Sequence, residues 1–376
     1  MVRLLSCALG ISLTLLQTRA HAGLPFVLGP EFDAGIAPWG CVVGDFDGAD
    51  GIDIAVTNAA VKGEVSILLG IGDGNFIPMS QIALNKEPRG IASGDFNADG
   101  NLDLVISSVS DDPTDIVSVL LGNGDGTFAE PVEYEVGAYP NVVKAADLNG
   151  DDSSDIVAIS TGGEALSVFL GMGDGTFAAR MDYSLPNFLP WGIAIKDVDG
   201  DKVLDVVVSA FSTFATFALL KGVGDGTFLP PDYVGTNGSH SSLAVDDFNL
   251  DGRLDVALLD RSIPRVDVFY GNSVGGFERV VSFPVASHTS SIEAGDLYGN
   301  GQIQIVAAGF DGIHVFNAIG SGRFTDMGAI SGAHGGENMV IADLNDDGSP
   351  DIFSPRLFEF LSSAIINTTL FRNSFD

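Results

Sequence analysis

The sequence predicts an all-β chain folded as a seven-bladed β-propeller of four-stranded antiparallel blades, closed by an N-terminal strand that completes the last blade. Three features predict it. An acidic nonapeptide recurs seven times, beginning at Asp45, Asp95, Asp147, Asp197, Asp247, Asp296 and Asp343, in steps of 50, 52, 50, 50, 49 and 47 residues. Short apolar runs rich in Val, Ile, Leu and Phe flank the copies and are separated by Asp-Gly and Asn-Gly turns, the pattern of strands in hairpins rather than of helices. The two ends of the chain are complementary fragments of one unit. Self-similarity at such a period marks a repeat architecture, in which each unit covers an apolar face of its neighbour.

Within a unit, the first strand precedes the acidic loop (residues 91–93 and 193–195), and the second follows it (104–106 and 206–208). The third ends in glycine and reads VSILLG, VSVLLG, LSVFLG, FALLKG and VDVFYG in the first five units. A Gly-rich turn then leads to the fourth, ending at Phe76, Phe128, Phe177 and Phe228, with looser copies at Phe277 and Phe324. A sheet with two apolar faces cannot stand alone, so the units stack, as an open pile or a closed ring. The termini decide between these. Phe26 stands 19 residues before Asp45, as Phe128 does before Asp147, while Gly35 and Gly137 each stand 10 before. The N-terminal stretch is therefore the end of a unit, and the seventh unit, stopping at TTLFRNSFD, lacks its fourth strand. Residues 26–32 are expected to supply it, which removes the exposed edges of an open stack.

The chain has 376 residues, with 17 Lys+Arg against 50 Asp+Glu and a formal net charge of -33. Phosphate affinity comes from clustered cations, so a nucleic-acid partner is excluded. With 45% apolar residues and only 18% charged, the chain has the composition of a globular protein and not of an acidic disordered one. Residues 1–22 read as a secretory signal: Arg3, an apolar run over 4–16, and a small-residue site at Ala20-His21-Ala22 before Gly23. That run is too short to span a bilayer, and no later segment is long enough. The expected product is one domain, 23–376, secreted to the extracellular space or a periplasm. Cys7 leaves with the signal and Cys41 stays alone among Val42 and Val43, as a buried small hydrophobe rather than a reactive thiol. No internal disulfide is then expected to staple the loops.

Numbering each acidic loop 1 to 9 places oxygen-bearing side chains at 1, 3, 5 and 9 in five copies. These are Asp95, Asn97, Asp99 and Asp103; Asp147, Asn149, Asp151 and Asp155; Asp197, Asp199, Asp201 and Asp205; Asp247, Asn249, Asp251 and Asp255; and Asp343, Asn345, Asp347 and Asp351. Position 7 offers a backbone carbonyl, from Asn101, Ser153, Val203, Arg253 and Ser349. Hard oxygens at alternate positions of a tight turn suit calcium, which takes about six to eight of them. Turn propensity alone explains too little, since a hairpin needs two such residues. The seven loops hold 23 of the 50 acids, a crowding that is unfavourable without a cation. Zinc and copper favour His and Cys, which the loops lack. The expectation is about five calcium ions, with the first loop (Asp45, Asp47, Asp53) a weaker sixth because Ala49 holds position 5 and Asp50 is displaced by one. The sixth loop, with Tyr298, Asn300 and Gln304, is expected to bind none.

DFNADGNLDLVIS followed by VSVLLGNGDGTF resembles the FG-GAP repeat, also called the VCBS repeat, of integrin alpha-subunit propellers and many exported bacterial proteins. The resemblance covers nearly all of 23–376. It implies seven blades, calcium on one face and recognition of a partner on the other, without settling the partner. The two functions it implies are a non-catalytic adhesion or protein-interaction module, expected to be monomeric and to bind an extracellular protein, or a lectin, since a similar seven-bladed fungal family combines integrin-like calcium loops with sugar pockets between blades.

Trp39, Arg89, Asn141, Trp191, Ser241, Ser290 and Glu337, each six residues before a loop, fall at the end of the blades opposite the calcium loops. Trp39 and Trp191 are the only tryptophans, and Phe211 and Phe214 lie in a loop on the same side. With Arg89 these form the candidate ligand site, exposed aromatics at a channel mouth being suited to a sugar face or a peptide anchor. The alternative for both tryptophans is packing between blades. The chain has no H-E-x-x-H or P-loop motif, and its G-x-S-x-G string at 271–275 lies in the looser Gly-rich turn that ends at Phe277 rather than between a strand and a helix. His240, His288, His314 and His334 are scattered over different units, and His240 has no acid that the sequence can place beside it. A non-enzyme is expected.

Overall fold

The computed structural model describes residues 24–355, apart from 60–62, 80, 85, 111–114, 213, 236–237, 320–322 and 331, together with strand 361–367. The predicted signal segment lies outside the described residues.

All regular structure among these residues is antiparallel β. The first acidic loop joins Pro38–Gly44 to Asp53–Asn58, and the sheet continues through Glu64–Gly70 to Phe76–Pro78, the order expected from the sequence. The same four-strand order repeats along the chain. Blades 4 and 5 are joined into one eight-stranded sheet by the pairs Phe211↔Ser239 and Ser212↔Gly238. The last blade is assembled from both ends of the chain: Phe26–Asp33 pairs antiparallel with Leu361–Asn367, from Phe26↔Asn367 to Asp33↔Leu361.

The first strands touch in succession: Pro38–Gly44, Glu87–Gly94, Pro140–Ala146, Pro190–Lys196, Gly238–Asp246, Thr289–Gly295 and Val340–Ala342, the last returning to the first. The described blades therefore form a closed propeller. The second strands are buried almost throughout, as in Asp155–Ser160 and Asp255–Asp260, with the half-buried Phe211 of Asp205–Ser212 an exception, because each is covered on both faces by neighbouring blades. That is why they read as unbroken apolar runs. The outer strands, such as Val132–Val136, meet water and are more polar.

Among the described residues the core is divided into seven clusters, and each unites the residue at loop position 2 of one blade with the turn phenylalanine of the next. Phe46 meets Phe128 edge to face at 5.8 Å, and Phe96 meets Phe177 at 5.5 Å. Leu148 shares a cluster with Phe228, Val198 with Phe277, Phe248 with Phe324 and Leu344 with Phe76. Leu297 shares one with Phe26, so the N-terminal strand provides the turn phenylalanine its blade otherwise lacks. The backbone reinforces the seam. Gly126, at φ 78, presents its amide to the Phe46 carbonyl at 2.9 Å, a left-handed turn conformation that favours glycine.

Candidate functional site

The acidic loops wind through a series of side-chain turns. In the third loop Asp147 Oδ1 accepts the amides of Gly150 at 2.7 Å and Asp151 at 3.2 Å, and Oδ2 accepts that of Asp152 at 3.0 Å. Asn149 Oδ1 accepts the Asp151 amide at 3.0 Å, and Asp151 Oδ1 that of Ser153 at 2.9 Å. Positions 1, 3 and 5 are thus fixed by local backbone before any ligand arrives. The Asn101 amide and the Asn97 side chain hold Asp99 below the usual carboxylate range, as Ser153 and Asn149 do for Asp151.

The test of fit to a cation is Asp95. Its Oδ2 accepts the Gly100 amide at 3.0 Å, but Oδ1 is buried with no hydrogen-bond partner. A buried carboxylate oxygen without a donor is costly, and a hard cation satisfies it. Asp45, Asp47 and Asp53 bring ligand atoms within 4.8 Å of one another, as do Asp197, Asp199 and Asp201. The first loop, expected to be the weaker, therefore gathers its carboxylates as closely as the fourth. Two loops meet a side-chain cation that the sequence reading did not foresee: Lys221 Nζ, just after the third strand of blade 4, lies 2.8 Å from Asp199 Oδ2, and the guanidinium of Arg253, within the fifth loop, contacts Asp251.

Position 9 has a second task. Asp53, Asp103, Asp155, Asp205, Asp255 and Asp351 are at most 1% exposed. Asp103 Oδ2 accepts the amide of Phe96 at 2.8 Å and Oδ1 that of Gly122 at 2.7 Å, tying the loop to the end of the third strand. The same pair of bonds recurs at Asp53, Asp155, Asp205 and Asp255. Burial pushes Asp255 up to about 7 against the pull of these amides, with Asp247 and Asp251 adding to the rise. In the sixth blade Gln304 takes the place, its Oε1 accepting the Leu297 amide at 2.7 Å. The clamp thus survives where the carboxylates are lost. Asp103→Ala orphans two buried amides, at about 1–3 kcal/mol each, and is expected to destabilise by about 2–6 kcal/mol even in calcium-free buffer. Unchanged melting of that variant without calcium would show that the carboxylate serves a ligand alone.

At the other end of the ring a cavity of about 330 Å³ opens, lined by Trp39, Asn141, Trp191, Ser241, Ser290 and Glu337. The structure brings these six sequence-predicted positions together. Arg89, the seventh, stacks its guanidinium 4.2 Å from the centre of the Trp39 ring and pairs with Glu87 at 2.6 Å. Both tryptophans are half-buried rather than sealed between blades. Phe211 backs Trp191 edge to face at 5.1 Å. Phe214 does not join them: it is 42% exposed and packs on Phe188 and on Tyr233 of the outer strand Asp232–Val234. Deeper in the cavity stand Lys144, Lys196 and Glu293. Enclosure within the ring pushes Glu293 up to about 6, the two lysines pulling it back. Cys41 is buried, as expected, and burial raises its thiol far above the usual range.

The histidines stay apart, but His240 is not without acids: Asp267 lies 3.4 Å from its Nε2, and Asp260 pairs with it across the sheet. Alignment of the repeats offered a signal, because Asp267 occupies the third-strand slot held by Ser66, Ser118 and Ser167.

Loops on one face and a cavity on the other define a repeat propeller with two separate polar ends. Residues 45–106, 95–158, 147–208, 197–258 and 296–354 match the FG-GAP-like repeat, and the chain belongs to that family. No curated protein matches it significantly. Among solved structures it is similar to a lectin from Burkholderia pseudomallei (14% identity, TM-score 0.68, covering 90% of this chain and 97% of that one). It is also similar to an Agrocybe aegerita lectin that recognises non-reducing terminal N-acetylglucosamine (20% identity, TM-score 0.53, 88% and 86%). A third is the periplasmic gluconolactonase of Pseudomonas aeruginosa (15% identity, TM-score 0.55, 75% and 83%). At these identities the likeness is one of fold.

Proposed function

We propose that this protein is an exported, calcium-stiffened, non-catalytic recognition module that binds an extracellular protein at the channel mouth opposite the acidic loops. The observation that carries this reading is the open cavity flanked by Trp39 and Trp191, half-buried aromatics braced from behind by Arg89 and Phe211. Amphipathic rings that keep one face accessible supply much of the binding energy at protein surfaces. In the polar lining, Ser290 and Ser291 donate to the Gly336 carbonyl at 2.8 and 3.2 Å, so their hydroxyl protons are engaged by the backbone. The alternative is a lectin, favoured by the two lectin structures of similar fold and by the stacking of sugars on such rings.

A glycan array and a panel of purified extracellular-matrix proteins separate the two. Trp39→Ala and Trp191→Ala are expected to weaken the ligand found by about 2 kcal/mol each, the scale of an interface hot spot. Their melting temperatures should stay near that of the parent. A large loss of stability with unchanged binding assigns both tryptophans to packing and removes the site.

A further inference from the structure

We infer that blade 5 contains a buried site for a first-row transition metal, of which zinc is the best fit, formed by His240, Asp260 and Asp267. The blade departs from its own repeat here. At the register position of His240 the first four blades place Pro38, Pro88, Pro140 and Pro190, and their second strands answer with Asn58, Ser108, Ser160 and Ala210 where blade 5 has Asp260. Asp267 replaces the serine of blades 1 to 3. The family match likewise skips residues 259–295. Three ionisable groups have entered positions that blades 1 to 3 fill with Pro, Ser and Asn, and where blade 6 has Thr289, Gly309 and one ionisable group, His314.

The three are sealed in, His240 at 0% exposure and Asp260 and Asp267 at 2% each. Their ligand atoms all lie within 4.8 Å of one another. Each carboxylate is anchored through one oxygen and turns the other inward. Asp260 Oδ1 accepts the Ser262 hydroxyl at 2.6 Å and its amide at 2.9 Å, and Asp267 Oδ1 accepts the Ser282 hydroxyl at 2.6 Å. Outer hydrogen bonds of this kind hold metal-binding carboxylates in place. The inward Asp267 Oδ2 stands 3.4 Å from His240 Nε2, long for a charge-assisted hydrogen bond. It matches the separation of about 3.4 Å between two ligands of a tetrahedral zinc with bonds of about 2.0–2.1 Å. An imidazole nitrogen beside two carboxylates favours such a metal over calcium.

A rival cation is already at hand. Arg265 Nη2 lies 3.3 Å from Asp260 Oδ2 and 3.1 Å from Asp267 Oδ2, where it partly neutralises the pair. Its hold is loose: Nε is buried without a partner, as is His240 Nδ1, and the side chain is 29% exposed, leaving it a route outward. A divalent ion seated between the two inward oxygens offsets both carboxylates at about 2 Å, closer than the single guanidinium nitrogen at 3.1 and 3.3 Å. Metal entry and Arg265 departure are therefore one exchange.

The experiment titrates cobalt(II), then zinc, into the full chain kept in millimolar calcium so that the acidic loops are filled. The expected result is one equivalent of cobalt with the visible absorption of a low-coordinate nitrogen and oxygen site, displaced by zinc. Asp267→Asn and His240→Gln should abolish the band. Arg265→Met keeps all three ligands and removes the competitor, so it should tighten binding at least about tenfold. Absence of the band in both the parent and Arg265→Met, or its persistence in a folded Asp267→Asn, overturns the site and leaves an arginine-locked ion cluster.

Discussion

Removal of calcium is expected to lower the melting temperature by about 10 °C, and restoring it to millimolar concentration is expected to recover the loss. The size follows from linkage. A ligand that binds only the folded chain stabilises it by RT ln(1 + [L]/Kd). With a dissociation constant of about 0.1 mM, within the range of extracellular calcium modules, each filled loop contributes about 1.4 kcal/mol at 1 mM. Five loops give about 7 kcal/mol, and at about 2 cal/mol/K of unfolding entropy per residue this corresponds to a shift near 10 °C. Magnesium at the same concentration should do much less, because it keeps its water shell and demands an octahedral cage. Scanning calorimetry with chelator, calcium and magnesium makes the comparison. Loops 4 and 5 should fill last, since Lys221 and Arg253 must give up Asp199 and Asp251. Identical melting curves in calcium and chelator would falsify the assignment of the acidic loops to this ion.

The repeated unit was readable in the sequence because its punctuation is chemical. Asp-Gly turns end strands, apolar runs fill them, and the offset of Phe26 from Asp45 placed the N-terminal strand in the last blade; the sequence put its partner in TTLFRNSFD at 368–376, which lies outside the described residues, whereas the strand pairs with Leu361–Asn367 just before that stretch. The ring of cavity residues was readable for the same reason, since equal offsets in equal repeats arrive at equal heights. What could not be read was the division of labour within each loop. Phe96 and Asp103 look like parts of one turn, yet Phe96 reaches the next blade's Phe177 while Asp103 clamps two amides of its own blade. The first contact depends on how blades lean together and the second on where the third strand ends, and turn chemistry encodes neither. Phe214 shows the opposite error. Its closeness in sequence to Phe211 suggested a shared site, but Phe214 packs on Tyr233 at the outer strand. His240 was given no acid for a related reason: Asp267 is 27 residues away and is brought near only by two hairpins.

Deletion of the chain through Asp33 is expected to abolish cooperative unfolding altogether. Phe26–Asp33 is the outer strand of the last blade, so its loss leaves Leu361–Asn367 as an unpaired edge, a template for association with other chains. It also removes Leu24 and Phe26 from the cluster that holds Leu297 of blade 6 against Ile352 of blade 7. Burial of two such side chains is worth about 1.5–3 kcal/mol each, and the lost strand pairing adds to that. The sum is a large share of the 5–15 kcal/mol that typically separates folded from unfolded chains. The decisive control is to re-attach residues 24–33 through a short flexible linker after Asp376, where the same strand can re-enter the same sheet by intramolecular pairing. Calorimetry should then recover the parent's transition, and size-exclusion chromatography should show a compact monomer in place of aggregates. Melting of the deletion variant at the parent's temperature would mean that the ring does not depend on this closure, and that the seven core clusters are stable without their shared seam.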